Sequence, residues 1–284
     1  MLRMVHRQDF SICPMRFPND GAVMCLILFA YRIHADYPLV LAANRDENYS
    51  RPTQPAGFWD DQPRIYGGRD LESGGTWLGI NNDGAFAAVT NFRDGNAARH
   101  STRSRGELVA DYLRNVRSPA SYVAEVSAKA GEYNGFNLLA GNVDELHWLS
   151  NRSDAPSIVT PGVHGLSNHL LDTPWPKVEL GKKRVTALLD RHENDLIDGL
   201  FTILAERTIA PDDALPETGV GLARERVLSP AFIASSVYGT RASTVVLIDK
   251  RATVTFVERS YTAGGAFEGS TSNRFTLDQR VAAV

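Results

Sequence analysis

Met24-Cys25-Leu26-Ile27-Leu28-Phe29-Ala30-Tyr31 is the stretch from which the rest of the chain can be read. As a strand it sets Cys25, Ile27, Phe29 and Tyr31 on one face and Leu26, Leu28 and Ala30 on the other. Both faces are apolar, so both must be covered, and such a strand belongs inside a layered structure. The extended segment is predicted over residues 24–33. His34-Ala35-Asp36-Tyr37-Pro38 reads as a turn, and Leu39-Val40-Leu41-Ala42-Ala43 as the return strand. Paired positions across an antiparallel hairpin have a constant sum. A turn centred near Asp36–Tyr37 makes that sum about 73, which sets Cys25 opposite about residue 48. The polar quartet Asn44-Arg45-Asp46-Glu47 is thereby expected beside Cys25.

Cys25 also follows a methionine directly. Translation from Met24, with loss of that methionine, would leave Cys25 with its thiol and a free α-amine on one residue. That is a nucleophile with a built-in base. A thiol ordinarily titrates near 8.5 and an α-amine near 7.7–8.0, so about neutral pH the amine can take the thiol proton. The residues before it, 1–23, show no hydrophobic period and no apolar core of a secretory signal. They read as an over-long start, a propeptide or a disordered tail, and the position of Met24 favours the first. Residues 24–284 read as one domain.

The composition excludes several classes. With 284 residues the chain can bury a sizeable core. A net charge of −3, without a long run of one sign, argues against nucleic-acid binding and a basic membrane face. No apolar run approaches the roughly 20 residues of a bilayer span. Two cysteines, Cys13 and Cys25, do not make a disulfide framework, and a reducing, cytoplasmic setting is the default. The seven histidines include no pair with convincing metal spacing. The glycine-rich runs do not stand between a strand and a helix as a nucleotide-binding loop would. No cofactor or metal is expected.

Further along, residues 50–63 and Gly67-Gly68-Arg69-Asp70 read as loops. Thr76–Ile80 and Ala85–Asn91 form a hairpin about Asp83-Gly84. Ser104 and Glu107 look like a capping box opening a first helix with Leu108, Tyr112, Leu113 and Val116 inward. Ser118-Pro119 opens a second helix, Thr173-Pro174 a third, and Asn194 a fourth. Strands are expected at 136–140, 146–149, 231–237, 242–249 and 252–260, with 208–230 as a long loop or lid. Strands come in hairpins separated by helices. This predicts an α+β fold, a four-layer αββα sandwich of antiparallel sheets.

Several motifs together resemble one family. They are Met24-Cys25, Asn44-Arg45-Asp46-Glu47, Gly74-Gly75-Thr76-Trp77-Leu78-Gly79, Val89-Thr90-Asn91-Phe92-Arg93, Gly165-Leu166-Ser167-Asn168 and Asp172-Thr173-Pro174-Trp175-Pro176-Lys177. In this order they look like the NRDE family, the transport and Golgi organization 2 homologues, from Met24 to about residue 260. That family is in turn distantly similar to the cysteine N-terminal-nucleophile hydrolases, which cleave bile-salt and penicillin V amides. The resemblance implies Cys25 as nucleophile, with Arg45 and Asp46 beside it. It implies Asn91 and Asn168 as oxyanion donors and Arg241 as a second arginine near the thiol. Asn44, Trp77 and Arg93 are implied as substrate contacts; Glu47, at the end of the return strand, reads instead as a structural partner of Arg51 or Arg69.

Each of these residues has a plain alternative: a buried core thiol, a solvated strand end, turn-forming asparagines, a surface arginine. The functional expectation is an amidohydrolase acting on a small non-peptide amide or acyl conjugate. The rival expectation is a protein of the same fold that carries haem or a lipid-like acyl conjugate without turnover. The partner in either case is a small amide, acyl or haem-like molecule.

Overall fold

The computed structural model describes residues 24–95, 101, 103–115 and 117–278. Residues 1–23, Cys13 among them, and Val116 lie outside the described residues. The apolar opening stretch is strand β1 (Met24–Tyr31), and β2 (Leu39–Asn48) returns beside it. In chain order there follow β3 (Thr53–Trp59), β4 (Gln62–Asp70), β5 (Leu78–Asn81) and β6 (Phe86–Asn91). Then come α1 (Gly106–Arg114), α2 (Pro119–Ala128), β7 (Phe136–Gly141), β8 (Leu146–Ser150), β9 (Ser157–Ile158) and β10 (Gly162–Leu166). The chain continues through α3 (Pro176–Thr186), α4 (Glu193–Leu204) and α5 (Leu222–Leu228) to β11 (Tyr238–Ile248), β12 (Thr253–Thr262) and β13 (Ala266–Thr276).

The strands form two antiparallel sheets. One runs β10-β1-β2-β11-β12-β13 and the other β3-β4-β5-β6-β7-β8-β9. Three apolar clusters define the layers. Ile27, Phe29 and Tyr31 of β1 meet Tyr66, Leu78, Ile80 and Phe86 between the sheets. Leu26, Leu28 and Ala30 meet Val178, Leu196 and Leu200 under α3 and α4. Ala87, Leu138 and Ala140 of the second sheet lie under Leu108, Tyr112 and Tyr122 of α1 and α2. The order is helix, sheet, sheet, helix, and the expected four-layer sandwich is what the chain forms. Both faces of β1 are covered, as its sequence required. Each of its large side chains contributes roughly 1.5–3 kcal/mol by leaving water.

The register differs from the expected one. Cys25 pairs with Arg45 and Tyr31 with Leu39, a constant sum of 70. The loop is centred on Ala35, not between Asp36 and Tyr37. Arg32 takes a positive φ of 56° and its N–H bonds the Pro38 carbonyl at 2.8 Å, closing a seven-residue connection. His34 Nδ1 accepts the N–H groups of Asp36 and Tyr37 inside it. The three-residue shift brings Arg45, rather than Asn48, directly opposite Cys25.

Other boundaries also move. Residues 50–63 and 67–70, read as loops, lie largely within the β3–β4 hairpin. Pro55 is tolerated because β3 is an edge strand and its register breaks between Gln54 and Gly57. Gly68 lies within β4 because the Trp77 indole occupies the space where a Cβ would stand, 2.2 Å from the ring. The first helix starts at Gly106 with Arg105 as its cap residue and no side-chain cap. Glu107 is instead engaged by Arg103 and Tyr133. Ser118 does cap α2, accepting the Ser121 N–H at 3.2 Å. Pro176, not Pro174, opens α3, and α4 begins at Glu193 with His192 at its cap. The segment 208–230 contains α5, residues 231–237 are not a strand, and the glycine-containing tail forms β13.

Candidate active site

Cys25 sits on the inter-sheet face of β1, the face of Ile27 and Phe29. Directly paired residues share a face, so Arg45 projects to the same side. Its Cζ stacks 4.3 Å from the centre of the Trp77 ring. Its Nη1 donates to Thr53 Oγ1 at 3.0 Å, and its Nη2 lies 3.7 Å from Glu47 Oε2. Glu47 also lies 3.8 Å from Arg51 and accepts the Asn48 N–H at 2.8 Å. Arg69 pairs with Asp61 instead. Trp77 is thus the floor on which Arg45 is held, and Gly68 makes room for that floor.

Asn44 and Asp46 point to the other side of β2, toward the α3–α4 layer. Asn44 Nδ2 donates to the carbonyls of Leu204 and Ala231, at 2.8 and 2.7 Å, while its Oδ1 accepts from Ser243 Oγ. Asn44 therefore ties the end of α4 to the sheet. Asp46 is fully buried. Its Oδ1 accepts from Thr240 Oγ1 at 2.6 Å; among the described residues its Oδ2 has no hydrogen-bond partner. The pairing of β2 with β11 breaks opposite this point, between Thr240 and Ala242. The extra residue on β11 interrupts the ladder beside Asp46. The Asp46 N–H and the Arg45 charge both favour the charged form of the Cys25 sulfur, and the Asp46 carboxylate opposes it.

Arg241 is the bulged residue. Its Nη1 donates to the carbonyls of Asn48, Tyr49 and Arg51 at 2.7–3.1 Å. It fastens the chain leaving β2, and its guanidinium is bound to main chain.

Asn168 lies two residues beyond Leu166, which pairs with Ile27, so the register carries it alongside Cys25. Its Nδ2 donates to the Asn91 carbonyl at 2.9 Å. Its own carbonyl accepts the Arg93 N–H at 2.7 Å. Ser167 Oγ donates to the Cys25 carbonyl at 3.0 Å, and Thr90 Oγ1 to the Ser167 carbonyl at 2.7 Å. The end of β6 and the turn after β10 are thereby stitched to the start of β1.

Three further charged groups complete the cluster. Lys177, in the first turn of α3, is buried and donates to the Leu228 carbonyl at 3.0 Å. Glu225 of α5 is buried and pairs with Arg93 Nη1. Arg93 is buried too, its Cζ 4.5 Å from the centre of the Trp175 ring. Its Nε and Nη2 have no acceptor among the described residues. Leaving charged donors unpaired in a buried place costs about 1–3 kcal/mol or more. Lys177 stands in the family motif, but nothing in the sequence says that this lysine turns inward. Glu225 was hidden because its helix is short and lies among prolines and glycines.

The electrostatics follow from burial. The Cys25 thiol is pushed up to about 12, first by burial and then by the Asp46 charge, against the Asp46 N–H bond and Arg45. With its amine locked in a peptide bond this cysteine is a thiol, not a thiolate. Burial raises the Asp46 carboxyl, and Lys177, Thr240 and Arg45 oppose it. Burial, with Arg93, lowers Lys177, and Asp46 opposes that.

A cavity of about 380 Å³ lies over Arg93, lined by Phe92, Asp94, His169, Thr218 and Gly219. A second, of about 270 Å³, is a mainly apolar groove outside α3 that touches Lys177, Leu180 and Ile209. The first lies where the chain leaves β6 and Asn168, whose neighbour Ser167 bonds the Cys25 carbonyl. No group of three or more histidine, cysteine or acidic side chains suited to a metal occurs among the described residues.

The family profile described as Transport and Golgi organisation 2 matches residues 24–263. The Transport and Golgi organization protein 2 homolog of Bos taurus is 38% identical over 257 residues, covering 84% of this chain and 93% of that one. The Homo sapiens homolog is 38% identical with the same coverage, and the Drosophila melanogaster protein is 29% identical over 267 residues. Among solved structures, a Caenorhabditis elegans N-acylethanolamine-hydrolyzing acid amidase ortholog aligns with a TM-score of 0.46 at 12% identity, over 78% of this chain and 92% of its own. A variant of the conjugated bile acid hydrolase of Clostridium perfringens aligns at 0.37 and 12% identity, over 91% and 86%. The family profile spans residues 24–263 and the Bos taurus and Homo sapiens relatives are 38% identical over 84% of the chain, and on that ground the chain belongs to the Transport and Golgi organisation 2 family.

Proposed function

We propose that this protein is an amidohydrolase whose nucleophile is Cys25, made competent by cleavage of the peptide bond between Met24 and Cys25. One observation carries the reading: the unpaired, buried Oδ2 of Asp46, whose residue pairs with Met24 at the start of β1. A freed Cys25 α-ammonium would arise beside that oxygen and give it the partner it lacks. A buried carboxylate with an unsatisfied oxygen is otherwise an expensive feature to keep.

In the proposed cycle the Cys25 α-amine accepts the thiol proton, and Asp46 holds the resulting ammonium. The thiolate, favoured by Arg45 and the Asp46 N–H, attacks the amide carbonyl carbon. The Asn168 side-chain amide, anchored by the Asn91 carbonyl, offers a donor to the oxyanion. Collapse expels the amine, which takes the proton back, and leaves a thioester. Water then attacks the thioester, releasing the carboxylic acid and restoring the thiol. Asn91 acts through Asn168, and Arg241 acts by holding the bulge rather than by touching substrate. Trp77 and Asn44 position their neighbours, whereas Arg93 is open to a substrate contact.

The test is replacement of Cys25 by Ala. Turnover of an N-acyl amide should fall to the background rate, while the thermal midpoint changes little. Full activity of the Cys25→Ala protein overturns the reading. Ligand retention unaffected by the substitution or by thiol alkylation, with no turnover in the unaltered protein, supports the rival carrier of haem or an acyl conjugate.

A further inference from the structure

Among the described residues, the last strand, β13, has a neighbour on one side only. Leu277 donates its N–H to the Ala252 carbonyl at 2.8 Å, and the pairing of Thr276 with Thr253 carries that register back along the strand. In an antiparallel ladder alternate residues turn both backbone groups to the same neighbour. Phe275, Asn273, Thr271 and Gly269 therefore bond β12, whereas Ser270, Ser272, Arg274 and Thr276 present N–H and C=O outward. Those outward groups have no backbone partner among the described residues, and the four side chains are exposed. Folded proteins blunt such an edge with proline, lysine or a bulge. β13 has neither proline nor lysine. Its bulge lies at one end, where the pairing passes from Ser260 to Tyr261, and leaves residues 269–276 regular.

The edge is complementary to itself. Directly opposed residues of an antiparallel pair share a face, so a two-fold axis across this edge must pass beside one residue. With Ser272 on the axis, Ser272 exchanges both backbone bonds with Ser272 of the second copy, and Ser270 does so with Arg274. The two Arg274 side chains then stand apart. Each lies diagonal to Glu268 of the other copy, within reach of long side chains. Glu268 is exposed and has no ion-pair partner among the described residues, and Arg274 is half exposed beside Glu193. On the other face, Gly269 has open space where a Cβ would stand, and Phe275 of the second copy comes opposite it. Phe58, 40% exposed, packs 5.3 Å from Phe275 and extends the apolar surface beside the seam. An axis at Asn273 would set the two arginines diagonal to each other. An axis at Thr271 would need the backbone of Glu268, which the bulge takes out of the ladder.

We propose that β13 docks a second copy of this chain, antiparallel about a two-fold axis at Ser272, so that the two six-stranded sheets become one. Sedimentation equilibrium of the full chain reads this directly. The average mass should rise from one chain toward two between about 1 and 200 μM, the range of a modest interface. Ser272→Pro removes an N–H that points outward and leaves the β12 ladder whole, so the variant should melt like the parent and stay at one chain mass. Ser272→Lys sets two ammonium groups face to face at the axis and should weaken association at least about tenfold. The register is read by cross-linking in a chain carrying Cys13→Ser and Cys25→Ala. There Ser272→Cys should oxidise to a covalent dimer, because paired Cα atoms about 5.5 Å apart suit a disulfide, and Thr276→Cys should not. A single-chain mass at about 200 μM overturns the proposal. Association that survives in folded Ser272→Pro, judged by its circular dichroism, overturns it as well, as does cross-linking through Thr276→Cys as ready as through Ser272→Cys.

Discussion

Arg45 is held on three sides: by the Trp77 ring, by Thr53 and by Glu47. Removing it leaves Glu47, a residue 4% exposed, with Arg51 at 3.8 Å as its remaining cationic partner. Breaking a buried pair by deleting one partner typically costs about 3–5 kcal/mol. Arg45→Ala should therefore lower the urea midpoint strongly, and Arg45→Ala combined with Glu47→Gln should recover part of that loss. A single variant as stable as the parent would show that Trp77 and Thr53 do not fix the guanidinium. At this scale the sequence was informative about identity and less so about direction. Alternation along β2 is legible, and Arg45 and Asp46 do leave it on opposite faces, toward Thr53 and toward Thr240. The bulge at Arg241 beside Asp46 was not legible, because it arises from pairing with a strand nearly two hundred residues away. Lys177 was opaque for the same reason: its inward turn is set by packing of α3 on β1.

That packing is tight and can be tested at the scale of the element. A Cβ on Gly181 would lie 2.5 Å from Leu28 Cδ1, and one on Gly165 would lie 2.6 Å from Val178 Cγ1. Leu28 is wholly buried and has nowhere to swing. Gly181→Val should overpack this contact at a cost of about 1–3 kcal/mol and displace α3, and with it Lys177. The cost is read from a chemical melt. A neutral effect would mean that α3 rides more loosely on β1 than the contact implies.

The turn after β10 carries a pH dependence. His164 Nδ1 meets Asp172 Oδ2 at 2.7 Å and its Nε2 meets the Thr160 carbonyl at 2.8 Å. Lys182 reaches Asp172 at 2.9 Å, and Asp172 itself takes a positive φ of 58°. Burial works against a charge on His164, but Asp172 and Thr160 outweigh it and raise its pKa. A group raised in the folded state stabilises fully below its unfolded value and loses that contribution as pH rises through the folded value. The stabilisation from His164 should thus be complete below about pH 6.5 and fade above it. His164→Gln should flatten that part of the stability–pH curve. An unchanged curve would separate His164 from the stability of this turn. Asp172 behaves oppositely: its partners bring it down to about 2, so its contribution is lost only as pH falls toward that value. Elements with a strong internal period, such as β1, β7 and α2, were read close to their true bounds. The β3–β4 hairpin and α5 were missed because proline and glycine mark loops locally. Here they serve an edge strand, a seat for Trp77 and a short helix fixed by a buried ion pair.

Across the whole molecule, the four layers follow from one fact of composition, a strand apolar on both sides, together with helices placed between hairpins. The same layering buries everything proposed to act: Cys25, Arg45, Asp46 and Asn168 are each less than 5% exposed. The chemistry then depends on a covalent change at the start of β1, because a thiol held near 12 with its amine in a peptide bond has no base. The direct test is the intact mass and N-terminal residue of the protein isolated from the cells that make it, measured on the same preparation used for amide turnover. The account predicts an active chain that begins at Cys25. An active chain that still carries Met24 would contradict it.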